Sequence, residues 1–213
     1  MFTGIVEFVC SVRSVQTKGG GLFGAVDLSR AAEDTKVGDS IAINGVCLTV
    51  SEISGGCAGF DISGETLAKS SLGSLRPGSE VNVERAMKAD GRFGGHFVQG
   101  HVDGTGKVEA IERRGEFADI RISAQKSLLD EMVVKGSVAV DGVSLTVAAI
   151  DQRSFRIALI PETLKRTTLG KVKAGDVVNI EIDYIAKIVK KQLQALLPGG
   201  WGLTEEKLKA LGF

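Results

Sequence analysis

The sequence predicts an all-β protein made of two homologous antiparallel β-barrels in tandem and one C-terminal α-helix. Three observations lead to this prediction. The second half of the chain repeats the first, apolar residues alternate along short runs in both halves, and an apolar stripe at helical spacing follows the second half. At 213 residues, the chain is long enough for two domains with a hydrophobic core in each.

The repeat consists of matched blocks at a nearly constant offset. Asn44–Val50 matches Asp141–Val147 at an offset of 97 positions, and Gly4–Glu7 matches Gly100–Asp103 at an offset of 96. The other blocks, all at an offset of 97, are Glu65-Thr66-Leu67 with Glu162-Thr163-Leu164, Leu72-Gly73 with Leu169-Gly170, and 78–84 with 175–181.

A period of this length indicates that each copy is a domain rather than a solenoid unit. We therefore expect an N-terminal barrel over residues 1–95, a second barrel over 96–184, and a helix with a tail over 185–213. The glycine-bearing stretch 88–95 is the expected junction between the barrels.

Short runs in each copy alternate apolar and polar residues with a period of two, which is typical of strands. Turn signals such as Asn44-Gly45 and Asp141-Gly142 separate these runs, and 28 glycines against 3 prolines fit many tight turns. This pattern favours a small closed barrel in each half. The alternating apolar residues are Ile41 and Ile43, Val81 and Val83, Val138 and Val140, and Val178 and Ile180.

Short helices are expected around residues 29–34, 67–72, 127–132 and 164–169. One long helix should begin near Asp183 and end before Pro198. Its apolar stripe consists of Ile185, Ile188, Val189, Leu193, Leu196 and Leu197. This stripe must pack on its own barrel or on other chains, and we favour self-association. Beyond it, Thr204 is expected to cap a last helical turn.

Composition argues against several classes of protein. The 26 basic and 26 acidic residues cancel and form no long run, so neither nucleic acid nor a membrane surface is an expected partner. No segment approaches the roughly 18 apolar residues of a membrane span, and the N-terminus has no secretory pattern. Three cysteines without CxxC spacing favour reduced thiols in a cytoplasmic protein over a disulfide framework or a metal site.

Polar residues at equivalent places in both copies are the best site candidates, because the barrel itself does not require them there. Thr49 and Thr146 form one such pair, and Glu65-Thr66 and Glu162-Thr163 form another. For any one of them alone, ordinary strand pairing or helix capping is the simpler explanation.

Two positions differ between the copies in a way that suggests divided roles. Cys47 stands where the second copy has Ser144, so a thiol and a hydroxyl face equivalent places; Cys47 is either a nucleophile or a small buried apolar filler. His101 stands where the first copy has Ile5, so an ionisable side chain that can carry a proton replaces an apolar one. We prefer His101 over His96 as a proton carrier, and a strand through both would point them to opposite faces.

Four segments together resemble the riboflavin synthase family of the alpha-chain type: Met1–Val6, Asn44–Val50, Gly94–Gly104 and Ile160–Gly170. The resemblance runs from residue 1 to about Leu197. It implies two six-stranded antiparallel Greek-key barrels and a C-terminal helix that joins three chains in a homotrimer. Each productive site would then lie between one barrel of one chain and the other barrel of its neighbour.

The resemblance also implies a transferase reaction in riboflavin biosynthesis. Two molecules of 6,7-dimethyl-8-ribityllumazine react, and one donates a four-carbon unit to the other, giving riboflavin and a 5-amino-6-ribitylamino-pyrimidinedione. No cofactor and no metal is implied. The expected partners are this substrate, riboflavin, two further copies of the chain and lumazine synthase.

Site residues follow by matching positions. The first barrel would hold its lumazine with Gly4, Ile5, Val6, Cys47, Leu48, Thr49, Asp61, Ile62, Ser63, Gly64, Glu65 and Thr66. The second would use Gly100, His101, Val102, Lys135, Ser144, Leu145, Thr146, Ile160, Pro161, Glu162, Thr163, Leu164 and Lys165, and Phe2 would cover the stacked rings. The candidates for catalytic roles are Cys47, His101, Ser144, Thr146 and Asp183.

Two rival functions fit parts of the pattern. A fluorescent antenna protein would carry lumazine without consuming it, but such proteins tend to lose polar residues from one barrel, whereas both barrels keep them here. A flavin-binding reductase domain would require a nucleotide-binding domain of alternating strands and helices, and none follows. Catalysis is therefore favoured over storage.

Overall fold

The computed structural model describes residues 1–196, apart from the side chains of residues 29, 30 and 194–196. Twelve strands occur in this part, six in each half. Those of the first half are β1 (Phe8–Lys18), β2 (Gly21–Asp27), β3 (Ser40–Ile43), β4 (Val46–Ser54), β5 (Cys57–Ile62) and β6 (Glu80–Arg85). Those of the second half are β7 (Gly104–Arg114), β8 (Phe117–Ser123), β9 (Ser137–Val140), β10 (Val143–Ile150), β11 (Ser154–Leu159) and β12 (Val177–Ile182).

Each half closes into an antiparallel barrel with the same strand order. The first barrel runs β1-β2-β5-β4-β3-β6, and the second runs β7-β8-β11-β10-β9-β12 around its circumference. The pairing register shifts after Val12 and Val50 in the first barrel and after Val108 and Val147 in the second, so bulges bend equivalent strands at equivalent points. The predicted pair of six-stranded barrels is confirmed.

Helices occupy the predicted places. They are α1 (Gly64–Lys69), α2 (Lys126–Leu129), α3 (Pro161–Arg166) and α4 (Tyr184–Leu196), with 3-10 turns at Ser29–Ala32, Ser71–Ser74 and Thr168–Gly170. The helix α1 begins earlier than predicted because the Ser63 hydroxyl accepts the N–H of Thr66 and caps it. In α3, Pro161 occupies the first turn, where a missing N–H costs nothing.

The long helix α4 confirms the prediction of an apolar stripe outside the repeat. On its described side chains, Tyr184, Ile185, Ile188, Val189 and Leu193 are all exposed. Between residues 1 and 196, no helix is long and apolar enough to cross a membrane. Leu197 of the predicted stripe, the predicted cap at Thr204 and the tail after Pro198 lie outside the described residues, and so does the side chain of Leu196.

The segment before each barrel packs on the other barrel. We call residues 1–7 the first arm and residues 97–103 the second arm. Val6 of the first arm lies in the core of the second barrel, and Val102 of the second arm packs against the core of the first. The arms pair with each other at Phe2 and Val98, whose backbone groups exchange hydrogen bonds of 2.8 and 3.2 Å. Each barrel is therefore completed by a segment that precedes the other.

Two asparagines join the barrels through a network that follows the repeat. The Asn82 side chain donates to the carbonyl of Asp141 at 2.9 Å and accepts the N–H of Thr168 at 2.8 Å. The Asn179 side chain donates to the carbonyl of Asn44 at 2.8 Å and accepts the N–H of Ser71 at 2.7 Å. Both asparagines are 1% exposed, so neither barrel turns this polar face to water.

The two turns at this junction differ by one charge. Asp141 occupies the place of Asn44, and its carboxylate accepts the N–H of Asn179 at 2.8 Å, as the Asn44 amide oxygen accepts that of Asn82 at 2.7 Å. Burial raises the pKa of Asp141 to about 7, and the negative charge of Asp176 acts in the same direction, against the hydrogen bond from Asn179. The folded protein therefore holds a proton here that the unfolded chain releases at lower pH.

We expect Asp141→Asn to stabilise the protein above neutral pH. A carboxyl whose pKa is higher in the folded protein contributes to stability below its unfolded-state pKa, which is about 3.9. That contribution is lost as the pH rises from this value to the folded-state pKa of about 7. The gain in unfolding free energy should be about 1 to 2 kcal/mol at pH 5 and reach up to about 4 kcal/mol at pH 8. Urea unfolding at both pH values measures this, with Asn44→Asp as the mirror control that should destabilise more at pH 8. An equal effect of Asp141→Asn at both pH values would contradict it.

Candidate active site

Cys47 lies at the point where the second arm meets the first barrel. Its backbone N–H donates to the carbonyl of Gly100 at 2.9 Å, and its side chain is half-buried. Gly100 has φ +82, and a Cβ at this residue would lie 2.4 Å from the Cβ of Cys47, so only glycine permits this approach. We call the surface formed by Cys47, Thr49 and Gly100 the Cys47 pocket.

The polar corner between β5 and α1 adjoins the Cys47 pocket. Thr49 is exposed and precedes Val50, which pairs with Phe60 on β5. The neighbouring Asp61 is also exposed and binds Lys18 at 2.7 Å. The predicted residues after it cap and form the first turn of α1, with Ser63, Gly64 and Glu65 exposed and Thr66 half-buried. Ile62 and Leu48 are buried in the barrel core and support this surface from below.

Ser144 lies at the equivalent point of the second barrel, against the first arm. Its backbone N–H donates to the carbonyl of Gly4 at 2.7 Å, and a Cβ on Gly4 would lie 2.7 Å from the Ser144 Cβ. The segment before the second arm closes over it, since a Cβ on Gly95 would lie 3.1 Å from the Ser144 hydroxyl oxygen. We call the surface formed by Ser144, Thr146 and Gly4 the Ser144 pocket.

His96 contacts the Ser144 hydroxyl directly. The imidazole Nδ1 lies 2.7 Å from Ser144 Oγ, and the ring is buried. Burial lowers the pKa of His96 from its usual value, while the negative charge of Asp183 acts in the opposite direction. The other ring nitrogen, Nε2, is buried without a hydrogen-bond partner in the described chain. A neutral imidazole beside a hydroxyl is an arrangement that can accept a proton from it.

Most of the remaining predicted residues of the second barrel lie at the corner between β11 and α3, whereas Leu145 and Thr146 lie on β10. Ile160 is 54% exposed, and Glu162 forms an ion pair with Arg166 on the helix surface. Thr146 is exposed like Thr49, whereas Leu145 is buried in the core. The other predicted members of this corner are half-buried at Pro161, Thr163 and Leu164 and exposed at Lys165.

Lys135 is held in an unfavourable backbone conformation. Its φ of 70 lies in the left-handed region, and its N–H donates to the carbonyl of Val147 at 2.8 Å. The equivalent residue of the first copy is Gly38, with φ 93 and the same bond to Val50 at 2.9 Å. The lysine is strained where glycine would be relaxed, which supports the prediction that its side chain contacts the ligand.

We expect Lys135→Gly to leave stability unchanged or raise it by up to about 1 kcal/mol, because relief of strain offsets the greater freedom of the unfolded chain. If Lys135 binds lumazine as predicted, affinity should fall roughly tenfold or more, because the variant removes a hydrogen bond from an ammonium. Lys135→Met separates the two effects, because it removes the ammonium and keeps the strain. Equal ligand affinity in wild type and both variants, measured by fluorescence titration, would exclude a ligand role for Lys135.

Several sequence-based expectations about the site need correction. Residues 4–6 lie beside Ser144 and in the second core, not beside Cys47, and residues 100–102 lie beside Cys47 rather than Ser144. The grouping of arms with barrels was therefore wrong, because each arm crosses to the other barrel. The expected strand through both histidines is also absent: His96 is buried and His101 exposed, in an irregular segment.

Phe2 does not occupy the expected position over the ligand. It is fully buried at the junction, where it packs with Ala42, Val98 and Ala139, and Cys47 lies against the same cluster. Its ring therefore supports the wall of the Cys47 pocket from behind. Within residues 1–196, no three His, Cys, Asp or Glu side chains converge on a place that would hold a metal ion.

Comparison with known proteins identifies the family. The family model described as "Lumazine binding domain" matches the chain twice, at residues 3–86 and 99–183. The riboflavin synthase of Mycobacterium tuberculosis (strain ATCC 25618 / H37Rv) is 44% identical over 203 residues, which cover 92% of this chain and 99% of that protein. The chain belongs to the riboflavin synthase family. Those of Actinobacillus pleuropneumoniae and Bacillus subtilis (strain 168) are each 42% identical over 193 residues, covering 91% of this chain and 90% of theirs.

Solved structures share the arrangement of two barrels. LumP complexed with riboflavin superposes with a TM-score of 0.79 at 24% sequence identity, and covers 85% of this chain and 99% of its own. LumP complexed with 6,7-dimethyl-8-(1'-D-ribityl) lumazine gives a TM-score of 0.77 at 23% identity with the same coverage. At this level of sequence identity, the structural similarity supports the fold alone. The functional comparison depends on the relatives with higher sequence identity.

Proposed function

We propose that the protein is a riboflavin synthase that converts two molecules of 6,7-dimethyl-8-ribityllumazine into riboflavin and 5-amino-6-ribitylamino-pyrimidinedione. One lumazine donates a four-carbon unit to the other, so the products contain all the atoms of the two substrates. The reaction is a group transfer between identical molecules and requires no net oxidation or reduction.

The observation that carries this proposal is the pair of matched but unequal pockets. Both have a strand residue whose N–H donates to a glycine carbonyl on a crossed arm, at 2.9 Å for Cys47 and 2.7 Å for Ser144. Both have an exposed threonine two residues further on. Equivalent walls suit two copies of one heterocycle, whereas the different side chains suit two partners with different chemical roles.

Proximity is the largest catalytic contribution that we expect, because two bound lumazines in opposed orientation react as if in one molecule. A methyl group on the lumazine ring is acidic because its carbanion delocalises into the heterocycle. His101 or a water molecule beside it takes this proton. Ser144, activated through His96, or Cys47, or a water that they position, adds to the other ring. Asp183 orients the basic groups through its charge near His96.

We further propose that the active form is a homotrimer, with each reacting pair held between barrels of neighbouring chains. The support is the apolar face of α4, where Tyr184, Ile185, Ile188, Val189 and Leu193 are exposed in the single chain. Light scattering should give the mass of three chains, and the mass of one chain would contradict this. We also propose a cytoplasmic location, which the three free thiols support. Association with lumazine synthase is a further part of the proposal.

The proposed activity is tested by mixing the purified protein with 6,7-dimethyl-8-ribityllumazine and following riboflavin by absorbance. We expect one riboflavin for each two lumazines consumed, without an added cofactor or metal. Failure to form riboflavin at any pH between 5 and 9 would refute the proposed enzymatic activity. Tight binding of lumazine that is not consumed would instead assign the chain to carrier proteins.

A further inference from the structure

Two buried carboxylates hold the arms in place. Glu84 on β6 and Glu181 on β12 occupy equivalent positions, and they are 6% and 3% exposed. Along each strand the apolar neighbours point into the barrel, so these carboxylates point outward and are buried only because the two barrels and their arms meet there. Burial raises the pKa of both groups, and the hydrogen bonds described next act in the opposite direction.

Glu84 binds the first arm through three donors. One carboxylate oxygen accepts the backbone N–H of Thr3 at 2.6 Å and the Thr3 hydroxyl at 2.8 Å, and the other accepts the N–H of Gly4 at 3.0 Å. The carbonyl of the same Gly4 accepts the N–H of Ser144 from the second barrel. Gly4 is thus fixed between a carboxylate of the first barrel and a pocket of the second.

Glu181 binds the second arm in the mirrored sense. Its two oxygens accept the N–H of Gln99 at 2.7 Å and the N–H of Gly100 at 3.0 Å. The carbonyl of Gly100 accepts the N–H of Cys47 from the first barrel. Glu181 therefore lies behind the wall of the Cys47 pocket, although it belongs to the other barrel.

All the groups that bond to these two carboxyls are donors, which favours the ionised form, and a bond to an ionised carboxylate shielded from water is strong. A buried charge requires this kind of compensation, and every hydrogen bond that either carboxylate accepts within the described chain comes from an arm. No element of the barrel interior uses these groups. The two carboxylates therefore act on the position of the arms and not on the barrel interior.

We propose that Glu84 and Glu181 are crossed positioning residues: each fixes the arm that walls the pocket of the other barrel, and so sets how that pocket holds its lumazine. This inference rests on the proposed function for its catalytic part. Glu84 acts on the Ser144 pocket, and Glu181 acts on the Cys47 pocket.

Hydrogen exchange tests the crossing without any need for turnover. Glu84→Gln replaces one acceptor oxygen by an amide donor, so we expect the Ser144 amide to exchange about tenfold faster, with less than a twofold change at Cys47. Glu181→Gln should give the reverse. Glu80→Gln is the matched control, because Glu80 lies on the same strand and bridges the barrels through Lys171, but does not touch an arm. Faster exchange at both amides in either variant, or at neither, would overturn the proposal.

Double-mutant cycles on kcat/KM test the catalytic part. We expect each glutamine variant alone to lower kcat/KM about tenfold. In a Ser144→Ala background Glu84→Gln should lower it less than threefold further, and in a Cys47→Ser background the full tenfold should persist. Glu181→Gln should show the opposite dependence, whereas equal coupling to both backgrounds would refute crossed action.

Glu84→Asp keeps the charge and withdraws it by one methylene, which provides a milder variant if Glu84→Gln does not fold. It should change the same amide in the same direction. If wild-type protein makes no riboflavin, the proposed function fails, and the exchange pattern still decides whether the carboxylates act across the junction.

Discussion

Replacing His96 by Gln is expected to lower kcat about 100-fold or more, with a much smaller change in KM. The reason is the contact of 2.7 Å between His96 Nδ1 and Ser144 Oγ, which lets the imidazole take a proton from the hydroxyl or position a water beside it. Glutamine keeps a polar group of similar length at this place but cannot accept a proton near neutral pH. Steady-state formation of riboflavin over a range of substrate concentrations separates the two parameters.

The pH dependence gives this prediction a second measurement. Burial lowers the pKa of His96, so the ring is neutral at pH 7 and gains its proton only below its usual range. Activity that depends on the neutral ring should therefore rise with pH, and the midpoint of this rise should lie below the usual histidine pKa of about 6.5. The rising limb should be absent in the Gln variant. A wild-type pH profile retained in full by this variant would exclude His96 as the titrating group.

His101 is the natural comparison, because it is the other histidine and is exposed on the second arm. His101→Gln should also lower turnover if its side chain takes the methyl proton. Retained binding with unchanged turnover would remove His101 from the mechanism. If Ser144 acts through His96, the variant His96→Gln/Ser144→Ala should be little slower than the slower single variant, because groups that act as a unit are not additive.

The sequence was sufficient to predict the barrels, because the alternation that marks strands can be recognised within short segments. The repeat adds that both halves share one fold. The sequence was not sufficient for His96. At an offset of 96 its counterpart would fall before Met1, so comparison of the two copies offers no partner against which it stands out. Its contact with Ser144 also spans 48 positions and depends on how the junction folds back.

The crossing of the arms could not be predicted for a related reason. Both barrels present equivalent strands, so a matching pattern does not tell which barrel Gly4 or Gly100 will pack on. Glu84 and Glu181 could not be singled out from the sequence either. They alternate with apolar neighbours in the same way as strand residues that face water. Their exposures of 6% and 3% result from the arms and the other barrel, which meet them at the junction and which no local pattern describes.

Replacing Asn82 by Leu is expected to destabilise the protein by about 2 to 6 kcal/mol. The leucine fills a similar volume, but the carbonyl of Asp141 and the N–H of Thr168 lose their partners at 2.9 and 2.8 Å, the first in a buried place and the second in a part-buried one. Each orphaned buried group carries a desolvation penalty of about 1 to 3 kcal/mol. Guanidinium unfolding at one fixed protein concentration measures the change, because assembly also contributes to stability.

The repeat supplies the matched comparison for this variant. Asn179→Leu removes the equivalent bonds to Asn44 and Ser71 and should cost a similar free energy, if the junction is stabilised symmetrically. Ser74→Ala, on the exposed 3-10 turn beside it, should change stability by less than about 0.5 kcal/mol. A loss below about 0.5 kcal/mol for either asparagine variant would mean that water or relaxation satisfies the orphaned groups. The junction would then be held by the arms and their carboxylates rather than by the paired asparagines.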